Sequence, residues 1–239
     1  MGDVLVLCYH AVSDRWPCEL AVRPAALKRQ LELLLGRGYV GTTFSEAVTG
    51  PPAERTLAVT FDDAFRSVVE RAAPVLSDLG IPATVFVPTA FPDREPVLSW
   101  AGIEHWVGGE HHDELRTPSW LDLRSLAEAG WEIGSHTRSH PRLTALDDAT
   151  LAAELTESRE ACEHHLGRAC TSLAYPYGDV DDRVVAAVAA AGYTAAAALP
   201  ARPRQRGALE WPRVGVWRDD WLGRYRLKVS PRVRRLRAA

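Results

Sequence analysis

The chain has 239 residues, 46% of them hydrophobic and 25% charged, with a formal net charge of −3. That length and apolar content suit one globular domain with a full core. The charge is uneven, with twelve Lys+Arg against three Asp+Glu in residues 201–239 and sixteen against twenty-eight in residues 1–200; cations gathered at one end rather than across a fold face argue against a nucleic-acid partner, and suit either an anionic lipid surface or a merely solvated end.

Residues 4–9 read as a buried strand. The run is short, follows Asp3 and has no small-residue cleavage site after it, so it is not read as a signal peptide. No apolar run reaches the ~18 residues of a membrane span. A cytoplasmic location is therefore expected, at the inner membrane face if the basic end engages lipid. Residues 24–36 predict a helix with Leu27, Leu31, Leu34 and Leu35 on one stripe and Gly36 at its end. A strand at 57–61 leads to a helix at 66–79 that turns Val68, Val69, Ala72, Val75, Leu76 and Leu79 inward and stops at Gly80. A strand at 83–87 follows. Residues 88–120, with Pro88, Pro92, Pro96, Trp100, Trp106 and Trp120, break the alternation and read as an inserted lid or substrate wall, with Trp120 a core residue. Beyond it come a helix at 121–129, a strand at 131–133, a long helix at 147–166, a strand at 172–174, a helix at 181–191 and strands at 193–197 and 213–216.

Repeated βα units imply a parallel sheet. No Gly-rich dinucleotide turn follows the first strand, so an α/β fold in the form of a distorted barrel is preferred to an open doubly wound sheet. The domain is placed at residues 1–217, with a basic tail at 218–239. Cys8, Cys18, Cys162 and Cys170 form no CxxC pair, so neither a zinc ribbon nor a thioredoxin motif is implied; Cys8 reads as a small core residue.

In a barrel the chemistry gathers where strands end, and four polar clusters fall there: Tyr9-His10, Asp62-Asp63, Ser135-His136 with His140, and Tyr175-Pro176-Tyr177-Gly178. Side chains alternate along a strand, so adjacent aspartates inside one would leave a carboxylate in the core, whereas at its end both reach the mouth. Taken alone, Asp62-Asp63 also suits a helix cap. His136 and His140, brought to one side by a helical turn or a tight loop, make a facial set with one carboxylate for zinc or a similar metal, leaving a position for water.

Thr60-Phe61-Asp62-Asp63, Gly134-Ser135-His136-Thr137-Arg138-Ser139-His140 and Tyr175-Pro176-Tyr177-Gly178, in that order, resemble the first three motifs of the polysaccharide deacetylases, carbohydrate esterase family 4. Leu7-Cys8-Tyr9-His10 and Gly130-Trp131-Glu132-Ile133 also look like that family, and the resemblance covers roughly residues 4–217. It implies a barrel of about seven parallel strands in a single domain. It implies a divalent metal on Asp63, His136 and His140, zinc by default, with cobalt, manganese or iron able to use the same donors. It further implies that Asp62 takes a proton from a metal-activated water and that the Tyr177 backbone N–H holds the oxyanion.

The sequence also departs from the pattern. No Arg precedes Pro176 to pair with the base; Arg213 is the candidate replacement, or else a structural ion pair. The fourth motif is missing before Leu199, and Asp219-Asp220-Trp221 comes too late for it. No His follows His165, so the usual general acid is absent; His10 is the candidate, or else a hydrogen-bonded residue of the barrel mouth. The function expected is removal of acetyl groups from an N-acetylated sugar or glycan, free, lipid-linked or nucleotide-linked. The alternatives are a carbohydrate-binding pseudoenzyme of the same fold, or a deacylase for O-acetyl or non-sugar amides. Residues 224–237, with Leu227, Val229, Val233 and Leu236 among their cations, are the candidate membrane contact.

Overall fold

The first strand, β1 (Asp3–Tyr9), buries its last five residues completely, as a parallel strand covered on both faces does. The computed structural model describes residues 2–51, 54–95, 97–199 and 207–238, with side chains up to residue 234. After β1 the chain forms a short ladder of β2 (Ala11–Val12) with β3 (Ala21–Val22), then α1 (Pro24–Leu35), β4 (Val40–Thr42), α2 (Phe44–Thr49), β5 (Arg55–Phe61), α3 (Ala73–Asp78) and β6 (Thr84–Val87). It continues through α4 (Trp120–Glu128), β7 (Glu132–Ser135), α5 (Asp148–Leu166), β8 (Ser172–Ala174), α6 (Asp182–Ala190) and β9 (Ala195–Ala198). β10 (Trp211–Pro212), β11 (Val214–Gly215), α7 (Leu222–Lys228) and α8 (Pro231–Ala238) end it.

The main sheet runs β10-β9-β8-β7-β6-β5-β1-β11, with β4 beside the first half of β5, and every pairing is parallel. Trp211 and Pro212 pair with Ala197 and Ala198, while Val214 and Gly215 pair with Leu7 and Cys8. β10 and β11 are thus the two halves of one strand, joined at Arg213, and they nearly close the barrel. Pro212, which has no N–H to donate, lies at the break. With those halves counted together, the described residues form a nearly closed barrel of eight parallel strands in a single domain; the parallel sheet follows the βα alternation, and the count exceeds the expected seven or so by β4, which pairs only with β5. The core is continuous from the barrel interior to the helices, with Leu5, Leu7, Leu57, Val59, Val85 and Leu173 among its fully covered members.

Several local expectations change. The helix expected at 66–79 is interrupted by a widened π turn at Val68–Ala72 before α3. Pro74 accounts for this, because its ring displaces the carbonyl four residues earlier and removes a helical donor. The strand expected from residue 193 begins at Ala195, since the Tyr193 N–H is given to Val188 O at 3.3 Å, at the end of α6, and not to a ladder. β4 and α2 are additional elements; β4 is three residues long and approaches the core through Gly41, where a Cβ would lie 2.6 Å from Ile81.

The insertion has its own small core, in which Leu98, Ile103 and Leu115 pack with Trp16 and Phe65. It is sewn to the barrel mouth by Thr89 N–H to Thr137 O (3.1 Å), Ala90 N–H to Arg138 O (2.9 Å) and Arg66 N–H to Arg116 O (2.7 Å). Trp120 is buried, in line with its core reading. The segment from 218 also packs on the barrel. α7 lies against α1 and buries Tyr225, and Val229 is buried just after it. Val229 therefore faces the core, which corrects its expected outward place among the cations. Trp221 and Leu227 are the most outward of its apolar residues, 71% and 61% exposed. The side chains of Leu236 and Arg237 lie outside the described residues. No described helix is long and apolar enough to cross a membrane.

Candidate metal and acid–base site

The four polar clusters meet at the C-terminal ends of the strands. Asp62 and Asp63 follow the last residue of β5, and Asp63 takes a left-handed backbone with φ 67°. His136 follows β7, with its N–H on Val87 O at 2.8 Å. His140 is brought alongside by a tight loop, with Thr137 and His140 at φ 65° and 63°. Such conformations cost non-glycine residues about 1–3 kcal/mol each and persist where surrounding contacts impose them. Here Glu154 of α5 imposes them: its Oε2 accepts Arg138 N–H and Ser139 N–H, both at 2.9 Å, and its Oε1 accepts the Ser139 hydroxyl at 2.5 Å. Ser135 Oγ accepts Thr137 N–H at 3.0 Å, and Thr137 Oγ1 accepts His140 N–H at 3.1 Å.

The loop delivers two imidazoles to one carboxylate oxygen. Asp63 Oδ1 lies 3.4 Å from His136 Nε2 and 3.3 Å from His140 Nε2. One ligand atom from each of the three buried residues falls within 4.8 Å of the others. The His136 ring is oriented by a 2.8 Å hydrogen bond between Nδ1 and Ala174 O; with the proton on Nδ1, its Nε2 presents a lone pair to the cluster. Asp63 Oδ1 is a buried atom with no hydrogen-bond partner among the described residues. Lone pairs facing one another in a dry site repel, and a cation between them removes the conflict. The donor set fits a divalent metal on those grounds. Burial disfavours charge on Asp63; a proton on either Nε2 would hydrogen-bond to the carboxylate and hold it well below its usual range, and with both rings neutral toward the cluster that favourable charge is what a cation would supply. Burial pushes His140 toward the neutral form a ligand requires; on His136 it is outweighed by Asp63 and the Ala174 carbonyl, which raise the pKa.

Asp62 is separately engaged. Arg213, which the sequence offers as a replacement partner for the base, donates from Nη1 to Asp62 Oδ1 at 2.6 Å and from Nη2 to Oδ2 at 2.7 Å. Its Nη1 also donates to Thr60 Oγ1 at 3.0 Å. Burial works to raise the Asp62 pKa, but the guanidinium more than offsets it and holds the carboxyl at about 2. His10 stands at the end of β1 with its ring stacked on Trp217 at 5.4 Å between centroids. One of its ring nitrogens lies within 4.8 Å of an Asp62 oxygen and of the Cys8 sulfur, and its Nδ1 is buried without a partner. Burial holds its pKa below the ordinary imidazole value. Tyr177, at φ 59° in the turn Pro176–Gly178, leans its ring edge on His140 at 4.7 Å and carries Arg142 over its face at 4.4 Å.

Three neighbours of these residues escape sequence reasoning. Trp100 reaches in from the insertion and stacks on His140 at 3.9 Å. Trp217 backs His10, and Glu154 builds the histidine loop from a helix sixteen residues downstream of Arg138. Only Trp100 had a signal, its place in a Trp-rich break in the βα pattern. Asp220, the late Asp-Trp candidate, is a buried structural anion that accepts Trp217 N–H at 2.9 Å and pairs with Lys228 and Arg224.

A nearly closed parallel barrel with a buried carboxylate and two imidazoles at its mouth, beside a second, ion-paired carboxylate, has the make-up of a barrel hydrolase. Residues 49–196 match the polysaccharide deacetylase family, and this chain belongs to that family. Among curated relatives, YxkH of Bacillus subtilis (strain 168), which carries the same family name, is 25% identical over 231 residues, spanning 95% of this chain and 71% of that protein. The poly-beta-1,6-N-acetyl-D-glucosamine N-deacetylase of Staphylococcus aureus (strain MSSA476) is 26% identical over 148 residues, 58% of this chain, and the match spans only 46% of that protein. In solved structures the fold recurs in a Streptococcus pyogenes deacetylase, PplD, in complex with acetate (TM-score 0.77, 19% identity, 95% of this chain and 98% of that one). It recurs also in IcaB from Ammonifex degensii (TM-score 0.75, 23% identity, 96% and 98%).

Proposed function

We propose that this chain is a metal-dependent de-N-acetylase of an N-acetylated glycan, with Asp63, His136 and His140 holding a divalent cation, zinc by default, and Asp62 serving as the base. The observation that carries the reading is the pairing of two unlike carboxylates at one mouth: Asp63, turned to two imidazoles, and Asp62, turned to Arg213. Bound there, the cation supplies Lewis acidity to a water and to the amide carbonyl. Asp62 accepts the proton of the attacking water on a carboxylate oxygen, and Arg213 keeps that carboxylate ionised and aimed. An Asp62 pKa near 2 makes a weak base that is always charged at neutral pH, which suits a water acidified by other means. His10, close to Asp62 and lacking an Nδ1 partner, returns a proton to the leaving amine; its lowered pKa makes it a stronger acid, though a scarcer one at neutral pH. The Tyr177 backbone N–H is assigned to the developing oxyanion.

A β-linked N-acetylglucosamine polymer is the first substrate to try, because the Staphylococcus aureus relative is named for one. For a lipid-linked substrate, the outward Trp221 and Leu227 flanked by Arg224 and Arg226 are the proposed membrane contact; equal sedimentation of the full chain with anionic and zwitterionic vesicles would remove it. The experiment that tests the enzyme is acetate release from N-acetylated sugars and oligomers by stripped protein, by protein reloaded with zinc or cobalt, and by Asp62→Asn. Release restored by metal and abolished by the substitution is expected. Metal binding without release from any substrate would overturn the activity, and a failure to bind metal would overturn the ligand assignment.

A further inference from the structure

Asp62 is gripped from more than the Arg213 side. The Cys8 sulfur lies 3.4 Å from Asp62 Oδ2, with both residues buried. The contact is built by strand register: Cys8 pairs with Thr60 across β1 and β5, and Val216 N–H closes on Cys8 O at 2.9 Å from the strand that carries Arg213. A carboxylate offers about four acceptor positions on its two oxygens. Arg213 fills one on Oδ1 and one on Oδ2, and the Cys8 thiol fills the second on Oδ2. Among these contacts, the position left over belongs to Oδ1.

We infer that Cys8 is a positioning residue whose S–H, donated to Asp62 Oδ2, leaves Oδ1 as the atom that accepts the proton. The inference rests on Asp62 being the base. The thiol has one hydrogen and two acceptors in reach, Asp62 Oδ2 at 3.4 Å and Tyr9 O at 3.8 Å. The nearer one is charged, and charge-assisted hydrogen bonds are the stronger kind. Burial keeps the thiol protonated, so it acts as a donor and not as a nucleophile. Cys8, His10 and Asp62 also present three metal-type donors to one another. The guanidinium already on both Asp62 oxygens makes a second cation there unfavourable, and the hydrogen-bond role is the one compatible with Arg213.

The test compares the full chain with Cys8→Ala and Cys8→Ser, and reads two signals. The first needs no activity: in the infrared S–H stretching region, the band removed by Cys8→Ala is expected below the frequency of the other buried thiols, and to shift upward in Asp62→Asn. The second is acetate release. Cys8→Ala is expected to lower kcat by about 2- to 10-fold, the range of an ordinary hydrogen bond, since the thiol is a weak donor even to a charged acceptor, with KM and metal content unchanged, and Cys8→Ser to restore most of it. An active wild type whose kcat is unmoved by Cys8→Ala overturns the positioning role and leaves the deacetylase standing. A wild type that releases no acetate removes the catalytic reading instead. In that event the infrared band decides the contact, and a Cys8 band at the frequency of the other thiols overturns it.

Discussion

Arg213→Met replaces a buried guanidinium with an apolar side chain and leaves Asp62, 2% exposed, without its cation. Breaking a buried pair from one side costs about 3–5 kcal/mol, because the remaining charge is uncompensated. At ~2–4 °C per kcal/mol for a domain of this size, Tm should fall by roughly 6–20 °C. The pH dependence follows from the competing causes on Asp62. With Arg213 present the folded pKa is lowered, to about 2. The stability this contributes is complete above the unfolded carboxyl value of about 4, and is lost as pH falls through about 2. Without Arg213, burial dominates and the folded pKa is raised. The variant is then at its most stable below about 4 and loses stability as pH rises through the raised value. The gap between wild type and variant must therefore widen between pH 4 and pH 7. Urea unfolding of the metal-stripped proteins at several pH values measures it directly. A deficit below about 1 kcal/mol at pH 7, or one that does not change with pH, would refute the argument; Asp62→Asn combined with Arg213→Met should recover part of the loss, because no buried charge is then stranded.

His140→Ala should abolish stoichiometric zinc retention after dialysis, measured by atomic absorption, since it removes one of three converging donors. Glu154→Ala leaves the Arg138 and Ser139 N–H groups without their acceptor; zinc affinity should fall by about 10- to 100-fold, the usual effect of losing a group that orients ligands, with every ligand still present. Gly178→Ala puts a Cβ 2.5 Å from Leu199 O at a φ of 68°, and should lower unfolding stability by about 1–3 kcal/mol in urea.

What the sequence discloses is the part of the design written in short range. The βα alternation, the Leu27-Leu31-Leu34 stripe and the polar residues after each strand follow from periodicities of a few residues, and the barrel and the meeting of Asp62, Asp63, His136 and His140 come from them. Where reading failed, a local rule was overruled from nearby or from afar. Pro74 splits the expected helix because its ring conflicts with the preceding turn, a cost the apolar stripe does not display. Val229 looks like an outward residue in a basic tail until α7 is laid against α1. Glu154 and Trp100 carry no motif, because one acts through backbone N–H groups and the other through a ring face.

Arg213 shows the limit most clearly. A carboxylate in a dry site needs a cation to remain charged, and that need does not say which stretch of sequence supplies it. Here the cation lies 151 residues from Asp62, on the strand that joins β9 to β1. That position is set by barrel closure: the strand changes partner at Pro212–Arg213, and the residue at the change points its side chain at the end of β5. In this barrel the divided strand sets one such seam residue beside the mouth. Arg213, placed there, reaches Asp62 without a place in the Tyr-Pro-Tyr-Gly turn. Under the proposed function Arg213 stands in for the Arg missing before Pro176, and the Arg213→Met series tests that role energetically as well as positionally.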